Sequence, residues 1–371
     1  MFLDKKDTDS QYFFIRCFVE QVQDRVERWD DARLLLTALD IPVSNGWEAT
    51  FRKLNSQYEE GRLKVFQYSK SKLTKILDEL NLSSDKAVSV YSIPDQDTAQ
   101  KIANHLFKNH TLESRFAELY PFKVIKDELD GIDYEPYYCG QTEIDGVYYF
   151  PIGIKRDYNE RIKLNISEFE EVDRVRLEGY DKIIASKTEV AQFIDIISVN
   201  IPACRLEIRI DNASKTSRDD IENARDIIES LLRAQIRELD KNIETPRINM
   251  FPIINSLYNS DTGRICELAF ECPNDSLHYQ HLRKQDQDIR SEPFHDGGKK
   301  AVESVDAFRL AVEWEITFGD RDRKIEALFP GTRRMMRQAN PDLSYLIVNR
   351  HINASEINLT IDRVLQHGHP E

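Results

Sequence analysis

Between residue 12 and about residue 120, apolar side chains recur at intervals of three and four. Phe14, Cys17, Phe18, Val22 and Val26 form one stripe, and Leu35, Leu36, Leu39 and Ile41 continue it on a second element after Asp30 and Asp31. Pro42 and the Ser44-Asn45-Gly46 turn interrupt the pattern. Leu73, Ile76, Leu77 and Leu80 resume it, with Ser71 predicted as the N-cap, and Ala99, Ile102 and Leu106 follow a cap at Asp95 or Asp97. This spacing gathers the apolar side chains on one face of a helix. It predicts four or five short helices over residues 1–125, with Val88–Ile93 as a short strand or a connector between them.

Past Lys126 the period changes. A stretch rich in Pro, Gly, Asp and Tyr spans 127–146, and strand patterns follow at 147–154, 161–166, 172–177 and 204–211. The second and fourth alternate strictly, as half-buried antiparallel strands do. A long amphipathic helix is predicted at 217–241, capped by Thr216 or Ser217, with Ile221, Ala224, Ile228, Leu231 and Leu232 on one face. After Pro246, residues 248–258 and 264–272 read as strands flanking the turn Asn259–Gly263. Further strands are expected at 308–317, 343–350 and 357–364. The reading is an α+β chain: a helical N-terminal module (1–125), then two mainly antiparallel α+β units (126–245 and 246–371). No repeat of fixed period interrupts it.

The length of 371 residues suits more than one ordinary core, and 40% apolar with 31% charged residues is a foldable composition. The longest apolar runs, such as Leu343–Val348, have strand length and fall far short of the roughly 20 residues that cross a membrane. The opening MFLDKKDTDSQ lacks the apolar core of a secretory leader, and five cysteines without a CxxC pair suit a reducing compartment. The expectation is a soluble cytoplasmic protein with no membrane contact. A net charge of −14 opposes general nucleic-acid binding, while leaving room for local basic patches.

The segment 266–300 is the most site-like part of the chain. His278, His281 and His295 crowd together beside Cys272 on what reads as a polar loop. An HxxH pair and one cysteine are neither the paired cysteines of structural zinc nor the HExxH of catalytic zinc. The histidines are therefore read as surface or hydrogen-bonded groups, and no metal or cofactor is expected. Asp195 with Glu207-Ile208-Arg209, and Glu313-Trp314-Glu315, have roughly the spacing of carboxylates that hold magnesium in nucleases. The position such a site needs as lysine holds arginine or glutamate, and arginine is a poor base. Charged residues on the solvent face of a strand are the preferred explanation, and no catalytic residue is assigned. P-loop, dinucleotide and serine-hydrolase motifs are missing from the sequence. Asp296-Gly297-Gly298-Lys299-Lys300 reads as a plain turn before an anion-holding nest.

Basic residues gather in two places. Arg321, Arg323, Lys324, Arg333, Arg334 and Arg337, with Lys299, Lys300, Arg283, Lys284 and Arg290 if the loops converge, are the candidate nucleic-acid contacts. Arg52, Lys53, Arg62, Lys64, Lys70, Lys72 and Lys75, interleaved with Tyr58, Phe66 and Tyr68, form a second set in the helical module. The functional expectation is a non-enzymatic binding or adaptor protein. It would touch nucleic acid or an acidic protein surface through these clusters and a protein partner through its N-terminal module, within a larger assembly of a bacterial regulatory or phage-defence kind. One alternative is a metal-dependent hydrolase or nuclease acting on phosphodiesters, which requires Glu207, Glu313 or Glu315 to converge with His295. Another is a structural subunit that pairs its 12–41 stripe with a second chain.

Overall fold

Among the described residues, eleven strands join into one sheet in which every pairing is antiparallel. The computed structural model describes residues 5–165, 169–177, 179–180, 182–211, 216–282, 286–302, 304–318 and 321–368. In chain order the strands are β1 (Lys86–Ser92), β2 (Tyr137–Tyr138), β3 (Thr142–Ile144), β4 (Val147–Leu164), β5 (Ile183–Asn200), β6 (Arg205–Asp211), β7 (Arg264–Glu271), β8 (Leu277–His281), β9 (Asp306–Phe318), β10 (Arg321–Phe329) and β11 (Leu346–Asn349). Their order across the sheet is β2-β4-β5-β6-β1-β11-β10-β9-β7-β8, with β3 also on β4. The sheet therefore runs through all three segments read from the sequence. β1, from the first, pairs with β6 on one side and with β11, from the last, on the other.

Three expected strands are helices. Residues 357–364 lie in the Ala354–Leu365 helix, where Ile357, Ile361 and Val364 are buried at helical spacing and the Asn353 side chain accepts the Glu356 N–H. A run of β-branched residues masked that period. Residues 251–258 form a helix with Pro252 in its first turn, where a missing N–H costs nothing. Residues 171–177 are helical, with Glu171 and Asp173 in the first turn and Arg174 and Arg176 in the last, as the helix dipole favours. Ser69, not Ser71, caps the Lys70–Ser83 helix. The long helix runs Arg218–Leu239 behind Ser217, as its pattern predicts.

Both faces of the sheet are covered. On one, Ala87, Tyr91, Phe150, Ile197, Leu206, Ile208, Ile210 and Ile347 pack against the Gln96–Asn109 and Arg218–Leu239 helices. On the other, Val88, Val90, Leu310, Val312, Ile325, Leu346 and Val348 meet the Phe251–Tyr258 and Ala354–Leu365 helices. The N-terminal helices Lys5–Arg25, Trp29–Ala38, Trp47–Glu59 and Lys70–Ser83 enclose their own core of Phe18, Val22, Leu35, Leu36, Leu54 and Leu77. The 12–41 stripe is thus spent inside the chain.

Between that module and the second face lies a buried layer of charge. The charged side of β6, expected to face water, is enclosed: Glu207, Arg209 and Asp211 are all 0% exposed. Asp211 accepts from Arg25 of the first helix at 2.6 Å, from Lys86 of β1 at 2.5 Å and from the Ile194 N–H at 2.8 Å. Glu207 lies between Arg205 (2.6 Å) and Arg209 (2.8 Å), and Arg209 reaches on to the Leu82 carbonyl and Asn358. Farther along the same face, Arg323 binds Asp31 of the module at 3.2 Å and Glu356 at 2.6 Å. Burial alone would raise the Glu207 pKa, but Arg209 and Arg205 reverse this and hold it at about 2. Asp211 is held well below the usual carboxylate range because the Arg25 and Lys86 charges outweigh its burial.

Two outcomes follow from this layer. Asp211→Asn leaves Arg25 and Lys86 facing each other without their counter-ion, and urea denaturation should show a loss of about 3–5 kcal/mol. His351, buried against Thr360 at 2.7 Å, has its pKa pushed down to about 3 by burial and by the charges of Arg323 and Arg209. An unfolded histidine titrates near about 6.5, so below that pH the unfolded chain binds the extra proton. The stability due to the neutral ring is complete above about pH 6.5 and falls as the pH drops toward 3. His351→Gln should therefore flatten the stability profile between about pH 7 and about pH 4, and an unchanged slope would contradict this origin.

Candidate functional site

The histidine-rich segment is a hairpin and a short helix, not a loop. β7 ends at Glu271, a tight turn closes with the Cys272 N–H on the Ser276 carbonyl at 3.0 Å, and β8 returns along β7. Alternation along β8 sends His278 and Gln280 to one side and His281 to the other. The expected turn at Asp296–Lys300 is helical. It belongs to the Pro293–Lys300 helix, opened by Glu292, whose carboxylate accepts the His295 N–H at 2.7 Å. These pieces enclose a cleft of about 310 Å³ lined by Phe270, Cys272, His278, Gln280, His295 and Lys299, with Phe294 74% exposed at its mouth.

Phe270 organises the cleft. The His278 ring stacks on it with centroids 4.9 Å apart and planes 11° from parallel, while His295 meets it edge-on at 5.5 Å and 90°. His295 is 3% exposed, and its Nε2 shares a 2.9 Å hydrogen bond with the Tyr258 hydroxyl. Burial, and then the charge of Lys299, lower the His295 pKa, so the ring is neutral at neutral pH. Lys299 lies 4.5 Å from the centre of the Tyr258 ring, a cation–π contact. Two residues of the cleft each hold a buried polar atom without a hydrogen-bond partner: His295 Nδ1 and Gln280 Oε1. An unmet buried donor or acceptor costs about 1–3 kcal/mol.

The sequence brings only part of this together. His278, His295 and Cys272 share the cleft, but His281 points away, with its Nδ1 3.6 Å from Glu267. Tyr258 and Gln280 escaped notice. Reading 277–281 as a strand would have placed Gln280 beside His278.

The expected basic surface is mostly internally balanced. Arg333 and Arg337 both bind Glu271, and Arg337 also reaches Asp275 at 2.6 Å. Lys324 pairs with Asp286 at 2.5 Å and Lys300 with Asp296 at 2.5 Å. Arg290 is structural, bound to Asp288 at 2.6 Å and to the Ser260 and Gly263 carbonyls. Arg323 is buried in the inner charge layer and cannot reach a surface ligand. Arg321, Arg334 and Lys299 are exposed, and Arg283 and Lys284 lie outside the described residues. In the second set, Tyr68 is buried and donates to the Asp40 carbonyl, while Tyr58 stacks on Tyr12 at 3.9 Å. Neither ring is an open stacking platform.

The acidic positions do not converge with His295. Glu207 and Glu313 fall on opposite faces of the sheet, and Glu315 is exposed on β9. Among the described residues, one trio of potential metal ligands lies close together: Cys266, Glu313 and Glu326, with ligand atoms within 4.8 Å of one another. That space already contains a cation. Arg350 binds Glu313 and lies 3.2 Å from Glu326, and Arg264 binds Glu313 from the other side. Burial would raise the Glu313 pKa, yet Arg264 and Arg350 bring it below its ordinary value.

No protein-family model matches the chain, and no curated protein matches its sequence.

The role of Arg350 as resident counter-ion can be tested through its removal. Arg350→Ala should lower stability by about 3–5 kcal/mol, since two buried carboxylates lose their shared partner. Zinc or manganese at millimolar concentration should raise the melting temperature of this variant and leave the wild type unmoved.

Proposed function

We propose that this chain is a non-enzymatic binding protein that takes a nucleobase into the cleft between β8 and the Pro293–Lys300 helix. The observation that carries the reading is that His295 and Gln280 both line one half-enclosed cleft and each holds a buried atom without a partner, Nδ1 and Oε1. A ligand completing both needs at least two hydrogen-bonding groups, which a nucleobase carries on its edges. The apolar walls Phe270, Val302 and Val305 suit a planar ring, and the exposed Phe294 ring at the mouth can stack on a neighbouring base. Lys299 and Lys300 follow Phe294 by five and six residues on the same helix and supply the positive charge a phosphate beside the base would meet. The size of the cleft is at the lower end for small-molecule sites.

Catalysis has less support. The buried carboxylates are neutralised by arginines, and neither Glu207 nor Glu313 reaches the histidines. The overall acidity of the chain favours a mononucleotide or a single unpaired base over a long duplex.

Titration with the four ribonucleoside monophosphates and with short single-stranded oligonucleotides, at low salt, tests the reading. At least one should bind saturably, and Gln280→Leu should weaken it at least about tenfold while melting like the wild type. Binding of oligonucleotides alone would identify an unpaired base in a strand as the source. Absence of binding to every probe, or equal binding by Gln280→Leu, would refute the proposal.

A further inference from the structure

A second cavity, of about 500 Å³, opens where the β9–β10 hairpin meets the turn before β7. It is independent of the histidine cleft and of the nucleobase reading. Its walls are Thr262, Gly263, Arg264, Asp286, Glu313, Trp314, Glu315, Lys324 and Arg363, and most of their charges are already engaged. Arg264 is bound to Glu313 and to the Leu282 and Gln287 carbonyls, both at 3.1 Å, and Lys324 to Asp286.

Two polar atoms in the walls remain without partners: Trp314 Nε1 and Arg363 Nη1. Trp314 is only 6% exposed, so its indole N–H is a buried donor left unmet. Both groups can donate and neither can accept. The guanidinium carbon of Arg363 is 5.9 Å from the Trp314 ring centre, so the two side chains are neighbours in the cavity wall. Residue 263 keeps the space open. Its φ is +62°, and an added Cβ would come within 2.8 Å of Trp314 Nε1 and 2.5 Å of Val312 Cγ2. A side chain there would occupy the place beside the indole N–H.

We propose that this cavity binds the carboxylate of a small organic acid, accepted jointly by Trp314 Nε1–H and Arg363. A carboxylate fits better than a phosphate because the lining is balanced. Arg264, Lys324 and Arg363 oppose Asp286, Glu313 and Glu315, so attraction comes from two directed donors and not from surplus positive charge. The exposed Glu315 carboxylate disfavours a dianion further. The volume beyond the two donors admits an organic body, as ligand sites of this size do.

The chain has three tryptophans, so its indole N–H resonances can be followed one by one in ¹H–¹⁵N spectra, with Trp314→Phe identifying the relevant peak. Benzoate, acetate and inorganic phosphate at millimolar concentration are the probes, in the intact chain. The Trp314 peak should move saturably with benzoate or acetate while those of Trp29 and Trp47 stay in place. Arg363→Gln should weaken that response at least about tenfold, with an unchanged spectrum elsewhere. A Trp314 peak that ignores both carboxylates would overturn the proposal. So would a response to phosphate alone, or one equally strong in Arg363→Gln.

Discussion

Asp211 is the point on which the architecture turns. Its carboxylate binds the first helix through Arg25, the central strand through Lys86 and the neighbouring strand through the Ile194 N–H. A carboxylate with no access to water is tolerable only when its lone pairs are filled and its charge matched. Here both conditions require three parts of the chain at once. The helical module is consequently fixed on the sheet by directed ionic contacts as well as by apolar burial. Arg323, between Asp31 and Glu356, repeats the arrangement at the start of the module's second helix. Apolar contact tolerates small rotations and slips, whereas these pairs set register and orientation.

With the centre fixed in this way, the places where polar groups remain unmet stand out. Glu207, Asp211, Glu313 and Glu326 are all buried, and each is held by basic side chains. The unmet atoms discussed above lie instead toward the β8 end of the sheet and at the β9–β10 hairpin. Buried atoms without a partner occur inside the charge layer too, at Arg25 Nε and Nη2, Arg205 Nη2 and His351 Nδ1, whereas His295, Gln280, Trp314 and Arg363 are residues that also line a cavity. Their place beside a cavity, and not the lack of a partner by itself, is the physical basis for proposing ligands there.

Periodicity carried most of the fold. The Arg218–Leu239 helix, the strict alternation of β6 and the helical start were all legible, because each pattern differs plainly from its competitor. Helix 354–365 was misread because its β-branched residues favour strands locally, while burial of Ile357, Ile361 and Val364 against the sheet decides otherwise. The charged face of β6 was taken for a solvent face. Alternation records that one side is polar, but not whether that side meets water or a matching layer of charge. Likewise, the basic clusters were visible as sequence, but their partners Glu271, Asp275 and Asp286 are brought to them only by folding. The site was half legible: the histidines marked the neighbourhood, whereas the orphan atoms that define its chemistry exist only in three dimensions.

The placement of β1 between β6 and β11 bears on how the chain must be made. A ribosome delivers β1 early and β11 near the end of the sequence. Residues 246–248 serve the Val90–Ser92 end of the β1 flank opposite β6, and the N–H and C=O groups of the Lys86–Val88 end stay open to chance partners until β11 is made. The seam of the sheet closes last. The lysine at the head of β1 and the short length of β11, only four residues, limit the unsatisfied edge that any premature pairing could exploit. Vectorial synthesis thus makes the middle of this sheet, and not its outer strands, the last region to reach its final partners.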